Sequence, residues 1–401
     1  MTRGEPVISS AEMAYCAGIG IISYNDASAP RERCARWASE GAGDVNRNSA
    51  RRFGRLRFVG EGPGNSSLDW ACRDVAAALE RLPGEADHVS PAAPAEPRLC
   101  RIERDLLVFF LLPEPSDVLA SVDAGLLRDN HVIAYACGDA ADMRRQLERR
   151  LEWIDEIWVP SRFALDALGE LAKPAHVVPL PVRGPEGTQY PRSRFQLMGQ
   201  RTVFLAVLDA AASLQGQNPG AAIEAFRAAF PDRPDVEMVI LLQNAAAARG
   251  LFRTLSDLVG ADARIWYWDV PLSHAETLGL ISTADAFVSL HRENTFGVAI
   301  AQAMRAGTTV ITTQLGGSAE YTNPSNALTI PLRPGASGEA DHDAAVRAFQ
   351  RVAADRNAFR DMIATARSHD FAALFERAVL DRLGRIEAGR ANREERDNAV
   401  S

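Results

Sequence analysis

The side chains best placed for chemistry lie in one stretch, Phe287 to Glu320, reading FVSLHRENTFGVAIAQAMRAGTTVITTQLGGSAE. Its loop, His291-Arg292-Glu293-Asn294-Thr295-Phe296-Gly297, puts three ionisable residues just ahead of a helix whose apolar periodicity starts at Val298. The N–H groups at such a helix start have no partner within the helix and suit an anion. His291, Arg292 and Glu293 could touch a donor or an acceptor; equally, His291 could cap the strand and Arg292 pair with a nearby acid. Gly316-Gly317, before Ser318-Ala319-Glu320, could cradle a phosphate or simply turn the chain. Asp139 and Asp142 follow another strand, where two acids suit metal or base chemistry, or else solvent-facing caps.

These groups need a scaffold, and the sequence supplies one. Ala286 to Leu290 is a short apolar run suited to a buried parallel strand. Val298, Ile300, Ala301 and Met304 share one helical face, Gly307 stops that helix, and Thr309 to Thr313 is the next strand. Earlier, Leu56-Arg57-Phe58-Val59 reads as a strand and Gly60 to Ser66 as a glycine-containing loop. Ser67 reads as the cap of a helix running to Leu82. Asp105 to Leu112 is continuous and apolar, as a central strand covered on both faces should be. Glu85 to Arg98, rich in Pro and Ala, is expected to be a loop. Ala344 to Ile386 reads as helical throughout and Glu387 to Ser401 as a charged, frayed tail. Trp266 and Trp268 alternate along a strand and suit packing.

The framework residues His291-Arg292, Phe296-Gly297, Ala303-Met304, Gly307, Val310-Ile311-Thr312 and Gly316-Gly317 resemble, without a gap, the signature of glycosyltransferase family four. The resemblance implies the GT-B fold: an α/β protein of two Rossmann-like domains facing across a cleft, with a C-terminal helix crossing back to the N-terminal domain. It also implies a retaining transferase that takes a nucleotide sugar as donor and builds polysaccharide or glycan chains, without a cofactor or a metal in the site. Two glutamates of the family's loop fall here on Asn294 and Gln302. The Arg and Lys that hold the donor diphosphate fall on Gly216 and Gln217, just before Asn218-Pro219 and the matching helix Ile223-Glu224-Ala225-Phe226. A lysine common in the family is Leu242, and a Trp-rich motif is replaced by Ala136-Cys137-Gly138-Asp139.

Carried over residue by residue, the resemblance places catalysis at Glu293 and Asn294. Donor binding falls to Gly216, Gln217, Thr295, Phe296, Gly297, Val298, Gln302, Gly316 and Gly317. Gly62, Gly64 and Asn65 would line the cleft from the N-terminal side. Two readings stay open, and a third, a GT-B hydrolase or epimerase acting on a nucleotide sugar, has no motif of its own. One is a transferase that uses backbone amides of Thr295 to Val298 and Gly316-Gly317 for the diphosphate, with Glu293 replacing the lost acid. The other is a catalytically inactive GT-B pseudoenzyme, a binding or scaffolding subunit of a glycan-assembly complex. The expected division is an extension over 1–54, an acceptor domain over 55–183, a linker over 184–201, a nucleotide-sugar domain over 202–366, and a crossover helix with tail over 367–401.

A chain of 401 residues suits two α/β domains. Its formal charge of -8 argues against nucleic acid as a partner, because phosphate backbones demand a basic face. No apolar run reaches membrane-spanning length and no signal-peptide core follows Met1, so the expected location is cytoplasmic. Cys16, Cys34, Cys72, Cys100 and Cys137 lack zinc spacing and read as reduced and structural. The expected partners are a nucleotide sugar and a glycan or small-molecule acceptor.

Overall fold

The computed structural model describes residues 56–60, 66–82, 86–89, 105–111, 124–185, 190–197, 199–245, 249–336 and 338–400, all within one compact unit. The extension over 1–54 and the cleft residues Gly62, Gly64 and Asn65 lie outside the described residues.

The first lobe is built on β1 (Leu56–Val59), β2 (Ala86–Val89), β3 (Leu106–Leu111), β4 (His131–Ala136), β5 (Glu156–Val159) and β6 (Ala175–Val177). They pair in parallel in the order β2-β1-β3-β4-β5-β6. Its helices are α1 (Ser67–Leu79), α2 (Ala124–Asp129), α3 (Ala140–Glu148) and α4 (Arg162–Leu168). Every residue of β3 is buried, as its unbroken apolar run requires of a central parallel strand. α1 starts one residue earlier than the sequence suggests. Ser66 is its cap, because Asp69 closes a reciprocal capping box with Ser66 and not with Ser67.

The second lobe carries β7 (Thr202–Asp209), β8 (Val236–Gln243), β9 (Ile265–Trp268), β10 (Ala286–Ser289), β11 (Thr309–Thr313) and β12 (Leu328–Ile330), all parallel, in the order β12-β11-β10-β7-β8-β9. Its helices are α5 (Leu214–Gln217), α6 (Pro219–Ala229), α7 (Arg249–Val259), α8 (His274–Thr283), α9 (Val298–Ala306), α10 (His342–Ala354) and α11 (Arg360–Arg367). Phe204, Phe226, Phe230 and Phe349 close one face of this sheet, with the Phe204 and Phe349 rings 4.8 Å apart. The strand order reverses between β7 and β10, so the loops leaving their carboxyl ends diverge and open a crevice.

The last helix, α12 (Phe371–Val400), crosses back to the first lobe. Phe371, Phe375, Val379 and Ile386 enter a core that contains Val75 and Leu79 of α1 together with Phe296 of the second lobe. Arg382 adds a two-pronged ion pair to the buried Glu156 of β5, at 2.6 and 3.1 Å, and Trp158 donates its indole N–H to the same carboxylate at 2.7 Å.

Three local expectations change. β2 forms inside the Pro/Ala-rich segment because Ala86 to Val89 find a ready edge along β1, and pairing outweighs weak strand propensity. The helical character expected throughout 344–386 is interrupted: Asp355 is extended and caps the following turn through Asn357 N–H, and Asp370 accepts the N–H of Ala373 at the head of α12. The expected frayed tail is helical to Val400, consistent with its content of strong helix formers Ala, Glu and Arg.

Candidate functional site

The β10 loop and the β7 loop meet at the crevice. Gly216 accepts the backbone N–H groups of Arg292 at 2.8 Å and Glu293 at 3.2 Å, which fixes the two loops together. Behind them, Gln217 clips the end of β7: its Oε1 accepts from Asp209 N–H at 2.7 Å and its Nε2 donates to Asp209 O at 2.8 Å. An amide makes both bonds, whereas an ammonium can only donate. Position 216 is open, since a Cβ there would lie 3.6 Å from Glu293 Cβ, an ordinary contact.

Asn294 folds onto its own loop, with Oδ1 accepting from Phe296 N–H at 3.1 Å and its carbonyl accepting from Gly317 N–H at 2.7 Å. That contact explains both glycines. A Cβ on Gly316 would meet Asn294 O at 2.4 Å and one on Gly317 would meet Thr295 O at 2.1 Å, so a side chain at either site would push the loops apart. Phe296 is buried, and its carbonyl and that of Gly297 both accept from Tyr321 O–H at 2.8 Å. Gly297 caps α9 at φ 86° and supplies no side-chain acceptor, leaving the start of the helix, Val298 to Ile300, lining the crevice.

The ionisable residues of the loop separate. His291 is buried and structural, with Nε2 at 3.0 Å from Leu315 O and Nδ1 at 3.0 Å from Ser289 Oγ; burial lowers its pKa and keeps it neutral. Arg292 turns away to Glu339 at 2.6 Å and to Gln215 O at 3.0 Å. Glu293 is half-buried, and its carboxylate makes no hydrogen bond or ion pair among the described residues.

Several of these groups bind across to the first lobe. Thr295 donates its hydroxyl to Gly138 O at 2.7 Å, and its carbonyl accepts from Ser161. Glu320 receives the N–H groups of Arg162 and Phe163 at the start of α4, at 3.1 and 2.8 Å. Asp139 makes no cap for α3 and instead accepts from Ser213 N–H at 3.0 Å, while Asp142 pairs with Arg145. Gln302, 1% exposed, lies 3.3 Å from Ser67 Oγ and 3.4 Å from His274 Nε2. His274 stacks on Trp70 of α1 at 4.6 Å; burial first, then Arg183 and Arg73, lower its pKa to about 4. The ring is therefore neutral, and in the tautomer that leaves Nε2 unprotonated it accepts from the amide N–H of Gln302.

What remains open between the lobes is a cavity of about 170 Å³, lined among others by Asp139, Asp209, Glu293, Thr295 and the first turn of α9. That is below the roughly 300–1,000 Å³ of small-molecule sites, so a large ligand requires the lobes to separate. No Lys or Arg is among its described lining residues. Burial raises the pKa of Asp209, although Ala211 N–H and Asn244 oppose it, each at 2.9 Å. Cys72 and Cys137 are buried, and burial pushes the Cys137 thiol up.

The sequence did not single out Asp209, Gln243, His274, Trp70 or Ser161. Asp209 and Gln243 close the carboxyl ends of β7 and β8, and that position was the available signal.

No protein-family model matches the chain, and no curated protein matches it by sequence. Solved structures do match its fold. A sucrose-phosphate synthase from Thermosynechococcus elongatus aligns with a TM-score of 0.55 at 15% identity, covering 86% of this chain and 100% of its own. HepE from Anabaena, in complex with UDP and glucose, aligns at 0.57 and 13% identity, covering 82% and 99%. An α,α-trehalose-phosphate synthase from Burkholderia xenovorans, in complex with glucose-6-phosphate, aligns at 0.54 and 13% identity, with the same coverage. The chain therefore has a glycosyltransferase-like GT-B fold.

Proposed function

We propose that this chain is a nucleotide-sugar-dependent transferase of the family-four kind, retaining in stereochemistry and working on a glycan or small-molecule acceptor in polysaccharide assembly. The acceptor side is assigned to residues 55–183 and the donor side to 202–366. One observation carries this reading: the carboxylate of Glu293, unpartnered among the described residues, and the first turn of α9, which has no side-chain cap, line the same cavity. Sugar transfer generates positive charge at the anomeric carbon and negative charge on the departing diphosphate. A free carboxylate stabilises the first and helix-terminal N–H groups the second. The helix end contributes about 0.3–2 kcal/mol to an anion, less than the ~3 kcal/mol of a charged donor, so turnover should be slow by the standard of enzymes with cationic clamps. Asn294, Gln302, Gly216 and Gln217 then serve mainly to hold the loops, with Gln302 open to a ribose hydroxyl once the lobes part.

The lining acids favour a second reading. Asp139, Asp209 and Glu293 without a described Lys or Arg would repel a diphosphate, as suits an inactive scaffold with a closed cleft. Titrating UDP, GDP and their sugar conjugates while following melting temperature separates the two. A donor site raises stability by about 2.7 kcal/mol at a hundredfold excess over Kd. No shift with any nucleotide hands the chain to the scaffold reading.

A further inference from the structure

Side chains two apart on a strand share a face, so Glu156 and Trp158 of β5 point the same way, and the register of β6 sets His176 directly beside Trp158. Arg382 of α12 reaches Glu156 on that face. Three side chains thus converge on one carboxylate.

Glu156 is only 3% exposed. Its Oε1 accepts from Trp158 Nε1 at 2.7 Å and from Arg382 Nε at 3.1 Å, and its Oε2 accepts from Arg382 Nη2 at 2.6 Å. His176 Nε2 lies 3.9 Å from Oε2, too far for a hydrogen bond but close enough for an ion pair once the ring is charged. Arg385 and Asp381, the other charged groups of α12 that face the ring, pair with each other at 2.9 Å. Burial first, then Arg382 and Arg385, hold the His176 imidazole below its ordinary pKa against the opposing pull of Glu156 and Asp381, so the docked ring is neutral at pH 7.

One buried carboxylate therefore faces two groups able to neutralise it, and both doing so would crowd two positive charges together. With His176 neutral, Arg382 holds Glu156 and with it the helix. Parting the two at neutral pH would strand a carboxylate in a buried site, which is costly. A protonated His176 removes that obstacle: it repels Arg382 and gives Glu156 a replacement cation from the same lobe.

We propose that Glu156, His176 and Arg382 form an acid-operated clasp: protonation of His176 passes the Glu156 carboxylate from Arg382 to His176 and frees the turns of α12 from Arg382 onward. Buried Phe371, Phe375 and Val379 keep the first half of the helix in place, so the lobes stay joined while the far end lifts from the first sheet. Release restores the ring to its ordinary 6.5 from a lower docked value, so release takes up a proton. Docking is complete above about pH 6.5 and weakens as pH falls below it. The clasp is independent of the proposed sugar transfer.

The test is hydrogen exchange of residues 380–392 in the full chain at about pH 7.5 and about pH 5.5, corrected for the intrinsic pH dependence of exchange and referenced to residues 106–111 of β3. Wild type should lose at least about threefold in protection at the lower pH, with residues 371–379 unchanged. His176→Leu, which carries no charge, should remove this step, and His176→Asn serves if the leucine variant does not fold. His176→Arg, charged at both values, should leave 380–392 weakly protected even at the higher pH. His274→Phe should keep the step, because that ring belongs to the crevice. In an NMR titration, Arg382→Met should raise the pH at which His176 takes up its proton, since Glu156 then faces the ring without a competing cation. A step that is absent from wild type, survives in His176→Leu or His176→Asn, or is lost in His274→Phe overturns the proposal. Full protection of His176→Arg at the higher pH, or a His176 titration that Arg382→Met leaves unmoved, is equally contrary.

Discussion

The two lobes are joined by seams of different chemistry. At the back, α12 joins them with buried Phe371, Phe375 and Val379 and with the enclosed Arg382–Glu156 pair. At the front, single hydrogen bonds and one stack cross the crevice, through Thr295, Glu320, Asp139, Ser67 and Trp70. Apolar burial holds its strength through small displacements, whereas a hydrogen bond exchanged for water contributes only about 0.5–1.5 kcal/mol net. The back seam is therefore built to stay shut and the front seam to open. A crevice of about 170 Å³ would have to open in this way to admit the proposed nucleotide sugar.

The largest losses of stability should come from the back seam. Phe375→Ala, at a fully buried position, should cost about 3–5 kcal/mol in urea denaturation. Arg382→Met leaves Glu156 without its main cation and should cost about 3 kcal/mol by the same measure. The front seam should be acid-sensitive in its own right. His274 titrates near 6.5 when unfolded and at about 4 in place, so its contribution is complete above pH 6.5 and is lost as pH falls toward 4. Melting curves of wild type against His274→Phe across that window should diverge by up to about 3 kcal/mol, with wild type losing more as pH falls. Glu320→Gln keeps the shape and weakens the charged cap on α4, for about 1 kcal/mol and a more open particle in small-angle scattering. Gly216→Arg should be nearly neutral for stability because the position is open, while improving UDP affinity in calorimetry.

How much of this the sequence disclosed depended on range. The β10-α9-β11 unit was legible because its apolar run, helical face and terminal Gly307 are local signals, and Gly307 does adopt φ 80°. β3 was legible for the same reason. β2 was hidden, since only its pairing with β1 makes Ala86 to Val89 a strand. The roles of Asn294, Gln302 and Gln217 were invisible for a different reason. Sequence shows which charge is missing, but the uses of the amides, as a loop brace, a contact with Ser67 and His274, and a clip on β7, depend on partners that folding brings in. Asp139, readable as a solvent-facing cap or as a metal or base group, instead accepts an N–H from the other lobe, as does Glu320, for which the sequence suggested no role.

The central claim is that Glu293, the loop carboxylate without a described partner, stabilises charge on a sugar whose diphosphate leaves over α9. Single-turnover release of UDP or GDP from a panel of sugar nucleotides, by wild type and by Glu293→Gln, tests it most directly. The account predicts slow release by wild type with at least one donor and a loss of about a hundredfold on substitution. Release unchanged by Glu293→Gln, or none by wild type with any donor, would contradict it.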